Sequence, residues 1–447
     1  MQDAPRSGPH DGPSRRPWAD RLVSATAAFS LIIAIGGCGG GSSNGSSGNA
    51  QLRVLNLTSD VSSVDVMMDD SKIVSAATVD TLGAYVEFSA DTYDVDVLRS
   101  GTSNSLNNSS RSFSKDQHYT AVVWGRESAL KLATLPEDED EDDISAGKAR
   151  LRVFSATSEV GALDVYLTRN DTALENTTPV VSGLAASGLS GYTTLDAGSW
   201  RLRITGAGDS SDLRLDVPAV LLADKKYNSL LLTAGAGGVL VHASLLVQQQ
   251  AGLTSARNTK ARLRVVAGVE SNGSVGVAWN GVTQAGGLRS PSVAPYALVD
   301  AGDRTLELRV NGNIASSGSA SLTAGADYSV LGWGPAAAAR LTLISDDNRL
   351  PTANTRAKLR LVHAASLADA LTLSLDYAAL VSDLAVGSAS SFATPTAKSG
   401  ARIDVSAASA ADAVFTASDV DLQGLGVYTV FVLGGHATPT GVLRKDR

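Results

Sequence analysis

Ala149-Arg150-Leu151-Arg152-Val153 decides how this chain is read, because the sequence writes it four times. It returns as Ala261-Arg262-Leu263-Arg264-Val265 and Ala357-Lys358-Leu359-Arg360-Leu361, and in worn form as Gln51-Leu52-Arg53-Val54. Twelve residues after each leading leucine a second alternating run begins, at Leu163, Val275, Leu371 and Val64 respectively. An offset kept four times marks a repeated structural unit. Read as a strand, Leu52/Val54, Leu151/Val153, Leu263/Val265 and Leu359/Leu361 share one face. Arg53, Arg152, Arg264 and Arg360 share the other, the pattern of a half-buried antiparallel strand with its arginines on the polar side.

Later in each unit an aromatic precedes a turn and another alternating run: Tyr85 before Ala90-Asp91-Thr92, Tyr192 before Asp196-Ala197-Gly198, Tyr296 before Asp300-Ala301-Gly302, and Phe392 before Ser399-Gly400. Glycine there supplies the positive φ of a tight hairpin. A second tyrosine (Tyr119, Tyr227, Tyr328, Tyr428) opens an apolar strand that runs into Gly125, Gly235, Gly334 and Gly434. It is expected either to tie the preceding loop to the strand through its hydroxyl, as a tyrosine corner does, or simply to pack in the core. About seven short strands in each stretch of roughly 90–100 residues predict an all-β chain of four tandem immunoglobulin-like antiparallel β-sandwich domains. The repeats are placed at 51–136, 149–247, 261–346 and 357–447.

Between the repeats the reading places linkers at 137–148, 248–260 and 347–356. The first opens with seven consecutive carboxylates, Glu137 to Asp143. Mutual repulsion predicts an extended, solvated spacer, and the alternating spacing of a calcium loop is missing. The expected picture is a string of semi-independent beads.

The front end predicts export. Arg6, Arg15, Arg16 and Arg21 precede an apolar run from Leu22 to Ile35, too short for the ~20 residues of a membrane-spanning helix. Ile35-Gly36-Gly37-Cys38 follows and ends at the only cysteine. It resembles the lipobox of bacterial lipoproteins, which implies a signal peptide over 1–37, diacylation of Cys38, and a Gly/Ser tether over 38–50. Gly39 rather than Asp after the cysteine implies the outer membrane. The expected partners are the membrane, through that lipid, and an unknown envelope protein or glycan. With a net charge of −8 from 37 basic and 45 acidic residues, the chain lacks the basic footprint of a nucleic-acid binder. One cysteine makes no internal disulfide.

Chemistry is hard to find. His118, His242, His363 and His436 fall in different units at different pattern positions, and no zinc, redox or phosphate-loop motif occurs. No catalytic residue, cofactor or metal site is assigned, and the chain is read as a non-catalytic structural, adhesion or binding module. Two alternatives stand beside it. A polysaccharide- or peptidoglycan-binding lipoprotein needs an exposed aromatic row, for which Trp124, Trp279 and Trp333 are the candidates although core packing is the plainer reading. An extracytoplasmic enzyme needs convergent polar groups in a pocket.

Taken together, the Leu-Arg-Val start, the alternating run twelve residues on, the aromatic before an Asp-Ala-Gly turn and the Tyr-led strand ending in Gly resemble the bacterial domain of unknown function 4397. The resemblance covers residues 51–445 in four copies and implies an extracytoplasmic module with no established activity.

Overall fold

The computed structural model describes residues 48–447 apart from 170, 271, 272 and 368. Ile35, Gly36, Gly37 and Cys38, with the signal and most of the tether, lie outside the described residues. Those described are almost entirely strand, turn and short 3-10 turns, with no α-helix among them.

The first repeat sets the pattern. Its strands are β1 (Asn49–Thr58), β2 (Ser63–Met68), β3 (Ser71–Thr78), β4 (Val86–Ser89), β5 (Thr92–Arg99), β6 (Ser105–Ser112), β7 (His118–Gly125) and β8 (Lys131–Pro136). They form two sheets, ordered β4-β1-β7-β8 and β3-β2-β5-β6. The two-layer sandwich is the expected architecture. Its strand order is its own: eight strands rather than seven, with β1 and β7 running parallel from Gln51↔His118 to Thr58↔Gly125. The same order recurs in every repeat. The equivalents of β1 are Lys148–Ala156, Lys260–Val269 and Lys358–Ala365, each parallel to its own seventh strand at Tyr227–Ala234, Asp327–Gly334 and Val427–Gly434. Even the irregularities repeat. The pairing of second and third strands slips after Val64, Leu163, Val275 and Leu371.

Each sandwich has its own core, filled by one face of each sheet. In the first, Leu52, Val54, Val64, Val66, Val95, Val97 and Val123 meet; equivalent clusters fill the other three. The expected turns close them, with Gly198, Gly302 and Gly400 at positive φ.

Two further clusters lie outside the sandwiches. Leu55, Leu57, Val122 and Trp124 of repeat 1 pack against Phe154, Leu231 and Leu246 of repeat 2. Val266 and Leu331 of repeat 3 pack against Val362, Phe431 and Leu433 of repeat 4. The first-strand sheets are therefore back to back within two pairs, 1–2 and 3–4, and the described residues from 48 onward form one compact unit. Each apolar side chain buried there contributes about 1.5–3 kcal/mol, enough to hold neighbours together. This corrects the string-of-beads expectation.

The connecting segments are correspondingly built in. Glu137 is buried, the Asp140 side chain caps a 3-10 turn at Glu141–Asp143, and Glu141 pairs with Lys226. Repulsion along the carboxylate run is relieved because successive acids are taken up by different partners. In the second connector, Thr254–Ala256 adds a fifth strand to the sheet of repeat 2.

Candidate functional site

The four repeated arginines are the clearest departure from the half-buried-strand expectation. Arg53, Arg152, Arg264 and Arg360 are 2%, 4%, 3% and 2% exposed. A guanidinium so deeply placed needs acceptors for its N–H groups, and the repeat supplies them at fixed positions. The parallel register sets Thr120, Ser229, Ser329 and Thr429 beside the four arginines. Each accepts from the arginine Nε, at 2.9, 2.8, 2.7 and 3.1 Å. The first aromatic of each unit covers the guanidinium: Tyr85, Tyr192, Tyr296 and Phe392 have ring centroids 4.7, 4.9, 4.4 and 4.6 Å away. The aromatic that reads as a turn marker is thus a lid on a buried cation.

The remaining donors reach past the end of the eighth strand, and there the pairs differ. Arg53 binds Glu137 of its own repeat at 2.5 Å and the carbonyl of Gln250, beyond repeat 2. Arg152 donates to the Pro136 carbonyl of repeat 1 at 2.8 Å. In the other pair Arg360 binds Asp346, at the end of repeat 3, and Arg264 binds Asp446, at the end of repeat 4, both at 2.5 Å. Tyr85 and Tyr296 donate to Glu137 and Asp346 at 2.8 and 2.7 Å. Burial, reinforced by those carboxylates, holds both phenols well above their ordinary pKa, so they remain donors. None of the four arginines or their side-chain acceptors has a buried polar atom left without a partner, and the chemistry of these clusters is cohesion.

The second tyrosine settles unevenly. Tyr119, Tyr328 and Tyr428 each accept a hydrogen bond, at 3.0 Å, from a backbone N–H five residues upstream: Ser114, Thr323 and Gln423. That is the tyrosine-corner arrangement. Tyr227 stands one residue out of register, paired with Arg150, while Asn228 pairs with Leu151. Its hydroxyl accepts from Arg150 instead.

The tryptophan candidates turn inward. Trp124 meets Phe154 edge-on at 5.0 Å inside the 1–2 interface, Trp279 lies in the core of repeat 3, and Trp333 packs into the 3–4 interface and donates to Thr342. The histidines stay apart. His118 pairs with Asp138 at 2.7 Å, His242 accepts at Nδ1 from the Asn258 N–H, and His363 contacts the Asp369 carbonyl. Among the described residues no three His, Cys, Asp or Glu side chains are grouped to hold a metal ion.

Two of the cavities open at the seam between the pairs. There Arg126 of repeat 1 binds Glu159 of repeat 2 at 2.7 Å, Leu350 N donates to Glu159 O at 2.9 Å, and Gly237 N donates to Gly325 O at 3.0 Å. Backbones approach so closely that a Cβ on Gly237 would lie 2.5 Å from Asp327. A cavity of about 550 Å³ opens beside Arg126, Asp347, Arg349, Lys358 and Phe392. A second, of about 320 Å³, opens beside Arg126, Glu159, His242 and Arg349. No signal in the sequence marks this seam, because its residues come from all four repeats and the connectors.

No curated protein matches the chain. Solved structures similar over part of it include the Bacillus anthracis TIE protein (9% identity, 63% of this chain and 49% of that one, TM-score 0.14), and the family 26 carbohydrate-binding module CBMbc of Eubacterium rectale Amy13K in complex with maltoheptaose (13% identity, 45% and 97%, TM-score 0.16). The chain spans about half the length of the first. The sequence profile of the domain of unknown function DUF4397 matches residues 50–166 and 261–374, just over half of the chain in total. Both regions start at the first strand of an odd-numbered repeat and run across its interface into the second strand of the next. The chain belongs to the DUF4397 family.

Proposed function

We propose that this is a lipid-anchored protein of a bacterial outer membrane, acting as a non-catalytic structural or binding module. The observation that carries the reading is the locking of four sandwiches into one compact unit behind a tether that starts at the sole cysteine. Buried arginine clusters tie the repeats together within each pair, so what the chain offers a partner is the surface of one compact unit. Two acyl chains on Cys38 would anchor it stably, at ~0.8 kcal/mol per buried methylene. An aromatic-row glycan platform is not favoured, since Trp124 and Trp279 are buried and Trp333 is half-buried against the 3–4 interface.

The test is metabolic labelling with radioactive palmitate, followed by protease shaving of intact cells. Label on the wild type and none on Cys38→Ala is expected. Equal label on both, or none on either, would remove the anchor. Shaving assigns the face of the membrane, since a surface array is cut and a periplasmic one is spared.

A further inference from the structure

We propose that the seam between the two pairs is a binding groove for a short acidic oligosaccharide. The two seam cavities share Arg126, Glu159 and Arg349 and so lie side by side, and the larger, about 550 Å³, is the trough that the ligand would enter. Five basic side chains line the two cavities against three carboxylates, with Asp346 on Arg360 as a fourth, which leaves a local excess of one positive charge in a chain of net charge −8. Arg126 gives its neighbours only an Nη2 N–H, to Glu159, and Arg349 gives only Nε, to Asp347. Each guanidinium keeps the rest of its five donors for an incoming carboxylate. Both are about a quarter exposed, at 29% and 26%. Hydroxyls of Ser158, Thr352 and Ser391 continue the walls and match sugar hydroxyls in kind. Phe392 offers no stacking plane, because Lys358 and Arg360 sit over its ring at 4.4 and 4.6 Å. Recognition is therefore by charge and hydrogen bonding, and salt weakens it.

The test is isothermal titration calorimetry of the full chain with trigalacturonate, with maltotriose as the neutral control and triglutamate as the acidic-peptide control. Saturable trigalacturonate binding is expected, weaker at high salt and absent with maltotriose. Ser391→Trp fills the trough and leaves every ion pair of the seam in place. It is expected to weaken binding at least ~10-fold, as is the double variant Arg126→Gln/Arg349→Gln. An unchanged thermal midpoint for Ser391→Trp shows that its fold is intact. No binding, equal binding of maltotriose, tighter binding of triglutamate, or full affinity in Ser391→Trp would each overturn the proposal. The proposal deepens the binding-module reading and fails separately from it, because the anchor is measured at Cys38.

Discussion

Pairs 1–2 and 3–4 are built on one plan and tied differently. In pair 3–4 the tie is ionic and reciprocal: the carboxylate ending each repeat lies on the arginine of the other. In pair 1–2 the one carboxylate at that position, Glu137, stays on the arginine of its own repeat, and repeat 2 has Gln248 there. The repeated arginines of this pair reach across only to neutral carbonyls, Pro136 and Gln250, and its cross-repeat ion pair, Arg126–Glu159, lies outside that cluster. A buried ion pair adds little over an apolar contact but is costly to break, because the abandoned charge stays buried. The two pairs should thus have similar native stability and unequal fragility.

The largest expected effect breaks the comparison at its ionic side. Asp346 contacts Arg360, lies 4.0 Å from Arg264, and accepts from Tyr296 and Ser329. Asp346→Ala should cost about 3–5 kcal/mol, read by urea unfolding, and should separate repeats 3 and 4 into two transitions. Glu137→Gln keeps a polar acceptor but also leaves the Arg53 charge buried, and should cost about 3 kcal/mol, with repeats 1 and 2 still unfolding together because that pair lies within repeat 1.

The seam responds to pH instead. Burial holds the His242 ring neutral, with the nearby Arg257 adding to it, and its pKa falls to about 4 from an ordinary 6.5. The unfolded chain takes up that proton below pH ~6.5 and the folded chain only near 4. His242 therefore supports the fold fully above pH ~6.5 and loses up to about 3 kcal/mol of that support between 6.5 and 4. Protonation also converts Nδ1 from the acceptor of the Asn258 N–H into a donor. Unfolding midpoints followed across that range should fall for the wild type and fall less for His242→Gln. Equal slopes would remove His242 from the seam's stability.

The smallest effect sharpens the contrast between repeats. Tyr328→Phe and Tyr428→Phe should each cost about 1 kcal/mol by freeing a backbone N–H. Tyr227→Phe, which releases only a donor of the part-exposed Arg150, should cost less by calorimetric melting.

Much of this was legible in the chain. The first strands, the twelve-residue offset, the turn glycines and three of four tyrosine corners follow from local pattern. What escaped was the far side of the first strand. Arg53, Arg152, Arg264 and Arg360 in an alternating run read as solvent-facing, since a single sandwich buries one face only. The missed signal stands two residues on, where Leu55, Phe154, Val266 and Val362 share the arginine face and are all buried. Apolar residues on both faces mark a strand covered on both sides. The register slip at Tyr227 does show in the spacing, since Tyr227 stands eight residues before Gly235 while the other three tyrosines stand six before their glycine. The seam could not be read, since it exists only once the pairs are assembled.

The most direct measurement is a double-mutant cycle on Arg264→Met and Asp446→Asn, two residues 182 positions apart, by equilibrium unfolding. Reciprocal ion pairs across repeats 3 and 4 require a coupling of about 2 kcal/mol, with the double variant more stable than the sum of single losses allows. Additivity within about 0.5 kcal/mol would mean that the repeats are not joined in this way.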